Sequence, residues 1–180
     1  MSKKLVNDES ITAYIERFKQ MEKFGFTKKG DELFLSRLVA ESEQVENLHV
    51  KSTINDLTIH NDAPLDLGGK SGCPSPMQSL LATHANCLEI TALLYLSFSE
   101  VNVDSIKVKV EATLDKRSAL STKEAPSPGF FNMSHTWYVN SSEKPEKIEE
   151  VLKRVEEICP VGGTLLRSHE FKSKIVYNTI

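Results

Sequence analysis

The chain is short of several things, and each shortage narrows what it can be. Only three cysteines occur in 180 residues, at Cys73, Cys87 and Cys159. An odd number spaced so widely is not the disulfide framework of a small secreted domain, and with no CxxC pair the spacings are not those of a zinc site. In a reducing compartment they stay thiols until something oxidises them. An excess of basic charge is also missing: 22 Lys and Arg face 25 Asp and Glu, a net charge of −3, which leaves no footprint for nucleic acid or an anionic membrane. No apolar stretch follows Lys3 and Lys4, so no signal peptide is read and a cytoplasmic protein is expected. Internal repeats and low-complexity tracts are absent. The one long apolar run, from Pro76 to Phe98, is broken by Gln78, His84, Asn86 and Glu89. An acid at mid-bilayer costs about 3 kcal/mol, which argues against a membrane span.

What is present is organised around that run. Ser75 is a natural N-cap, Pro76 suits the first helical position, and Gln78 completes a Ser-x-x-Gln capping box, so a helix starts at Pro76. Its residues are apolar on almost every face, which predicts burial on all sides. Upstream, Ile11, Tyr14, Ile15, Phe18 and Met21 recur at helical spacing behind a Ser10 cap, with Gly25 as the stop; Lys28-Lys29-Gly30-Asp31 reads as a turn. The period then falls to two. Strands are expected over Leu35 to Val45, Leu48 to Ile54 and Leu57 to His60, the last pair joined through Asn55-Asp56, with a helix over Asp31 to Glu43 as the alternative to the first.

Beyond the central helix, Val103 to Leu114 alternates as a half-buried strand. Gly129 opens another strand, on which Phe131, Met133, His135, Trp137 and Val139 share a face. A second, amphipathic helix runs from Pro145, with Ile148, Val151, Leu152, Val155, Ile158 and Cys159 on one stripe, and Pro160 limits it. Gly162-Gly163 reads as a loop and Phe171 to Thr179 as a closing sixth strand. Strands, helix, strands, helix, strand make an α+β fold with antiparallel sheet rather than a series of βαβ units.

Cys87 and Cys159 each lie on a helix expected to face the core, where the helices can meet. Two thiols within disulfide reach form a redox site cycling through sulfenic acid and disulfide. The same placement suits two inert buried thiols. His84, one turn before Cys87, is placed to hydrogen-bond its sulfur or, protonated, to lower its pKa; a Cys-His hydrolase is the sharper form of that idea. Cys73, just ahead of the helix N-terminus, is either a third reactive thiol or an incidental loop residue.

The run Asp62-x-Pro64…Leu67-Gly68-Gly69…Ser75-Pro76-Met77-x-x-Leu80-Leu81…Cys87-x-x-x-Thr91 resembles the OsmC/Ohr family, as do the Pro128-Gly129-Phe130 turn and Cys159-Pro160-Val161…Thr164-Leu165. The resemblance covers residues 36–180 and leaves residues 1–35 as an N-terminal helical extension. It implies an OsmC-like fold: an intertwined homodimer whose antiparallel sheets wrap around central Cys-bearing helices. It also implies Cys87 as peroxidatic and Cys159 as resolving cysteine, an organic hydroperoxide as substrate, an external dithiol of the lipoyl type as reductant, and no cofactor, bound metal or flavin. Two departures stand out. The family's thiolate-holding arginine has no counterpart between Ser42 and Leu48, leaving Arg37 or Arg167 as substitutes, and Met77 and Gln78 stand where its glutamate partner would be. The rival function within the same fold is a non-catalytic dimer that binds a small apolar ligand or senses oxidation.

Overall fold

The computed structural model describes residues 4–70 and 72–177. Helix α1, Asp8–Phe24, is capped by Asn7, whose side chain accepts from the Ser10 amide at 2.7 Å; the cap falls three residues before the expected Ser10. Gly25 ends the helix as the sequence indicates, at φ 50°. The stretch expected as a turn is instead helix α2, Lys28–Phe34, capped by Thr27. Gly30 makes that geometry available: a Cβ there would lie 2.1 Å from the Gly25 carbonyl oxygen, so only glycine lets α2 fold back on the end of α1.

A meander follows, β1 (Glu41–Glu46), β2 (His49–Ile54) and β3 (Leu57–Asn61), antiparallel in that order. The Asn55-Asp56 connection is as expected, with Ile54 opposite Leu57 and Asn55 at φ 52°. The first strand is shorter than the Leu35 to Val45 reading, because residues 35–40 find no neighbouring strand and stay exposed.

The loop to the central helix is built on Asp62. Its buried carboxylate accepts the backbone amides of Ala63 and Lys70, each at 2.7 Å, and a Cβ at Gly69 would fall 1.6 Å from the Ala63 carbonyl oxygen. Helix α3, Pro76–Phe98, then starts on the expected capping box: the Gln78 amide donates to Ser75 Oγ at 3.3 Å and the Ser75 amide to Gln78 Oε1 at 2.8 Å.

Strands β4 (Ser105–Leu114) and β5 (Phe130–Asn140) form a separate antiparallel pair with Val108 opposite Trp137 and Val110 opposite His135. A register shift between Glu111 and Thr113, with Asn132 at φ 52°, turns the outer end away, so Phe131 and Met133 are exposed while His135, Trp137 and Val139 face inward. Helix α4, Pro145–Ile158, presents its expected stripe. Leu88, Ala92 and Leu96 of α3 pack with Val108 of β4 and Ile148, Val151, Leu152 and Val155 of α4 as the core.

Three further expectations are corrected. The Gly162-Gly163 segment is not a loop but helix α5, Pro160–Leu165, because Cys159 breaks α4 at ψ 115° and Pro160 restarts the chain at a first helical position. Phe171 to Tyr177 forms no strand: its apolar side chains are exposed and no strand among the described residues pairs with it, while Asn178 and Thr179 lie outside them. The strands make two separate antiparallel sheets, in keeping with the several sheets that the resemblance implies. Helix α3 is buried on one face only, leaving Leu80, Thr83, Asn86 and Ile90 open, with Ile90 57% exposed. Among the described residues no helix is long and apolar enough to cross a membrane.

Candidate active site

The two thiols predicted to meet do so. Cys87 sits midway along α3, and Cys159 is the single residue between α4 and α5; the packing of α3 against both helices brings the sulfurs to 3.3 Å, with the Cys159 S–H donating to Cys87 Sγ. Both are free thiols. They differ in access: Cys87 is half-buried, whereas Cys159 is 1% exposed at the foot of the α4 stripe.

Burial pushes the Cys159 thiol up from its ordinary pKa, and donation to Cys87 raises it further, while the Gly162 and Val161 amides pull the other way. The Gly162 amide lies 3.4 Å from Cys159 Sγ. Cys159 is therefore the partner that keeps its proton. Cys87 is the accessible sulfur and the acceptor of that hydrogen bond.

His84 is brought to the pair, though not in the role expected. Its ring lies beside Gly162: the point where a Gly162 Cβ would sit is 3.4 Å from His84 Nε2 and 3.6 Å from Cys159 Sγ. Burial, with a smaller contribution from His135, lowers its pKa, so the ring is neutral and supplies no cation to a thiolate. Its Nδ1 is buried without a hydrogen-bond partner. Sequence reasoning missed the neighbouring group: His135 Nε2 and Trp137 Nε1 both meet Glu156 Oε1, at 2.8 and 3.1 Å. A carboxylate on α4, one turn before Cys159, and alternate residues of β5 were the only available signal.

The remaining candidates are not brought to the sulfurs. Gln78 is engaged in the capping box, and Cys73 lies ahead of α3, about 16 Å of helix from Cys87. Among the described residues neither proposed arginine hydrogen-bonds a sulfur. Arg37 is exposed between α2 and β1, and Arg167 Nε donates to the Gly163 carbonyl at 2.8 Å. Arg117 is held by Asp115, whose carboxyl it draws down to a pKa of about 2. A groove of about 610 Å³ between β5 and α4 is lined by Trp137, Ile148, Leu152 and Glu156, but by neither sulfur.

An α+β framework that joins an accessible thiol on a central helix to a buried thiol at a helix junction defines a dithiol protein. The sequence assigns it more narrowly. Residues 68–174 match the family model of the OsmC-like proteins, more than half of the chain, and the chain belongs to that family. No curated protein sequence matches it. Among solved structures it is similar to an OsmC-like protein from Mycoplasma pneumoniae, with a TM-score of 0.62 and 18% identity over 72% of this chain and 87% of that one. An organic hydroperoxide resistance protein OsmC from Legionella pneumophila gives 0.52 and 21% over 73% and 90%. An organic hydroperoxide resistance protein from Elizabethkingia anophelis gives 0.55 and 13% over 73% and 89%. At these identities the likeness carries the fold.

Proposed function

We propose that the protein is a thiol peroxidase of the peroxide-stress type that reduces organic hydroperoxides. The observation that carries the reading is the 3.3 Å approach of a half-buried Cys87 sulfur to a fully buried Cys159 thiol. Cys87 thiolate attacks the terminal oxygen of the hydroperoxide, releasing an alcohol and leaving a sulfenic acid. Cys159 displaces the hydroxyl and closes a disulfide, and an external dithiol restores both thiols. Two of the similar structures are of organic hydroperoxide resistance proteins, which supports the choice of substrate class.

The functional unit is a homodimer. Among the described residues the β1–β2–β3 meander meets the helices of its own chain chiefly through Asn61, whose amide donates to Ser79 Oγ of α3, and Val45, Leu48, Leu57 and Ile59 are exposed on it. A small sheet is stable only with an apolar face covered, and the open face of α3 needs a cover as well; a second copy supplies both.

The test mixes reduced full-length protein with a slight excess of cumene hydroperoxide and follows free thiols and intact mass. Rapid loss of two thiols and about 2 Da, with peptides linked through Cys87 and Cys159, is the expected result. Slow, unselective oxidation, or equal peroxide consumption by wild type and Cys87→Ser, would sink the reading.

A further inference from the structure

The turn between α1 and α2 holds a phenyl ring in water on a fixed backbone. Phe26 is fully exposed, yet the residues on either side of it are tied down. The Gly25 amide donates to the Met21 carbonyl at 2.7 Å, Thr27 Oγ1 donates to the Phe24 carbonyl at 2.6 Å, and the Gly30 amide donates to Thr27 Oγ1 at 3.2 Å. Gly30, with no room for a side chain against the Gly25 carbonyl, closes the two helix ends on each other. Arg17 braces the hairpin from within, its guanidinium 4.4 Å from the centroid of the Phe34 ring and donating to the Leu33 carbonyl at 3.1 Å. A single exposed phenylalanine is ordinary on a protein surface. The surroundings of this one are not.

From residue 19 to residue 29 four lysines stand against one acid, Glu22, in a chain whose net charge is −3. Lys19 and Lys23 lie one turn apart on α1, and Lys28 and Lys29 open α2. The Nζ atoms of Lys23 and Lys29, one from each helix, come within 5.5 and 4.8 Å of the centroid of the Phe24 ring. Among the described residues none of the four lysines enters an ion pair. From these ammonium groups gathered about a projecting phenyl, we propose that the α1–α2 tip docks the protein on an anionic lipid bilayer. Phe26 enters the boundary between headgroups and acyl chains, and Lys19, Lys23, Lys28 and Lys29 meet the lipid phosphates.

The chemistry of the tip selects a bilayer over other polyanions. A nucleic-acid strand is held by stacking of successive bases on aromatic rings, and here Phe24 is half-buried with ammonium groups beside it, which leaves Phe26 alone. The overall negative charge does not oppose docking, because at physiological salt charges more than about 8 Å from the contact are largely screened. The tip also stands past the contact between the hairpin and the rest of the chain. Tyr14 and Phe18 of α1 meet Phe98 of α3 with ring centroids 6.4 and 5.6 Å apart, and from Phe18 to Phe24 the helix runs on for about 9 Å. Neither sulfur takes part, so the proposal is independent of the peroxidase reading.

The experiment is flotation of the full-length protein with vesicles of equimolar phosphatidylcholine and phosphatidylglycerol, and with phosphatidylcholine alone. Binding to the anionic vesicles, little to the neutral ones, and release at raised salt are the expected results. Phe26→Ser should weaken binding by about tenfold and Lys28→Gln/Lys29→Gln by about 25-fold, the scales of a partly buried phenyl and of two lysines at an anionic surface. Both changes fall on exposed side chains and leave the Gly25 and Thr27 ties intact. Absence of binding, or equal binding to both vesicles, would overturn the proposal. Unchanged binding in Phe26→Ser would do the same, since charge alone would then account for the attraction. A lower mass of Phe26→Ser in light scattering would place the ring between two copies of the chain instead, and equally tight binding of a short single-stranded oligonucleotide would make the tip a general polyanion site; either result ends the bilayer reading.

Discussion

The two cysteines are separated less by their chemistry than by their surroundings. Burial keeps Cys159 protonated, so its thiolate should appear only above pH 9, the ordinary value of 9.0 being the lower bound. A Cys73→Ser/Cys87→Ser variant, followed by thiolate absorbance, isolates that titration; a midpoint below 9 would contradict the burial argument. Cys159→Ser should leave a Cys87 sulfenic acid that dimedone traps, whereas Cys87→Ser should give no early adduct. His84 makes a different prediction. Its folded pKa is lowered by burial from 6.5, so below that value the unfolded chain binds a proton that the folded chain refuses. Stability is then lost as pH falls through 6.5 toward the lower folded value, and His84→Gln should flatten that part of the urea-midpoint profile. An unchanged slope would mean the ring is more solvated than its position indicates.

At the scale of elements, the site depends on how α3 begins and on what it leans against. The Ser75 cap fixes where the helix starts and therefore the rotation at which Cys87 faces α5; Ser75→Ala should cost about 1 kcal/mol in urea unfolding. Leu88, next to Cys87 and 2% exposed, packs on α4, and Leu88→Ala should cost about 3 kcal/mol. The second change should also slow disulfide closure, because α3 and α4 set the sulfur separation. A large loss of stability with an unchanged closure rate would show that α5 alone holds Cys159 in register. The Asp62 loop acts earlier in the chain: with Gly69 against Ala63, it delivers the chain to Ser75 in one geometry.

For the whole molecule, the unpartnered meander and the open face of α3 lead to a species of twice the 20.2 kDa chain mass in light scattering. Ile90→Glu places a charge where a lone chain tolerates it, at 57% exposure, so it should split the dimer while the core between α3, β4 and α4 stays folded. A mutant that keeps the wild-type mass would move the interface off this face of α3.

Much of this was legible in the residues alone because it is decided within a turn or two of chain. The Ser75-Gln78 box, the Gly25 stop, the Asn55 connection and the 3.6-residue stripe of α4 are local, and each element appears where its signal lies. The signals that misled were local ones outweighed by packing. Glycines 30, 162 and 163 read as breaks, yet Gly30 sits in a helix where the Gly25 backbone approaches too closely for a side chain, and Gly162 and Gly163 lie within α5. The apolar 171–177 segment has strand composition but no partner strand among the described residues. The sequence by itself determined two helices that each carry a cysteine toward the core, and a motif set that marks an OsmC-like chain. Only the tertiary structure decided that the sulfurs stand 3.3 Å apart across 72 residues, which of them is sheltered, and that His84 turns to Gly162 while His135 takes Glu156. The reason is physical: caps and periodicity act over a few residues, whereas those distances are set by side chains from separate helices and a strand packing around one core.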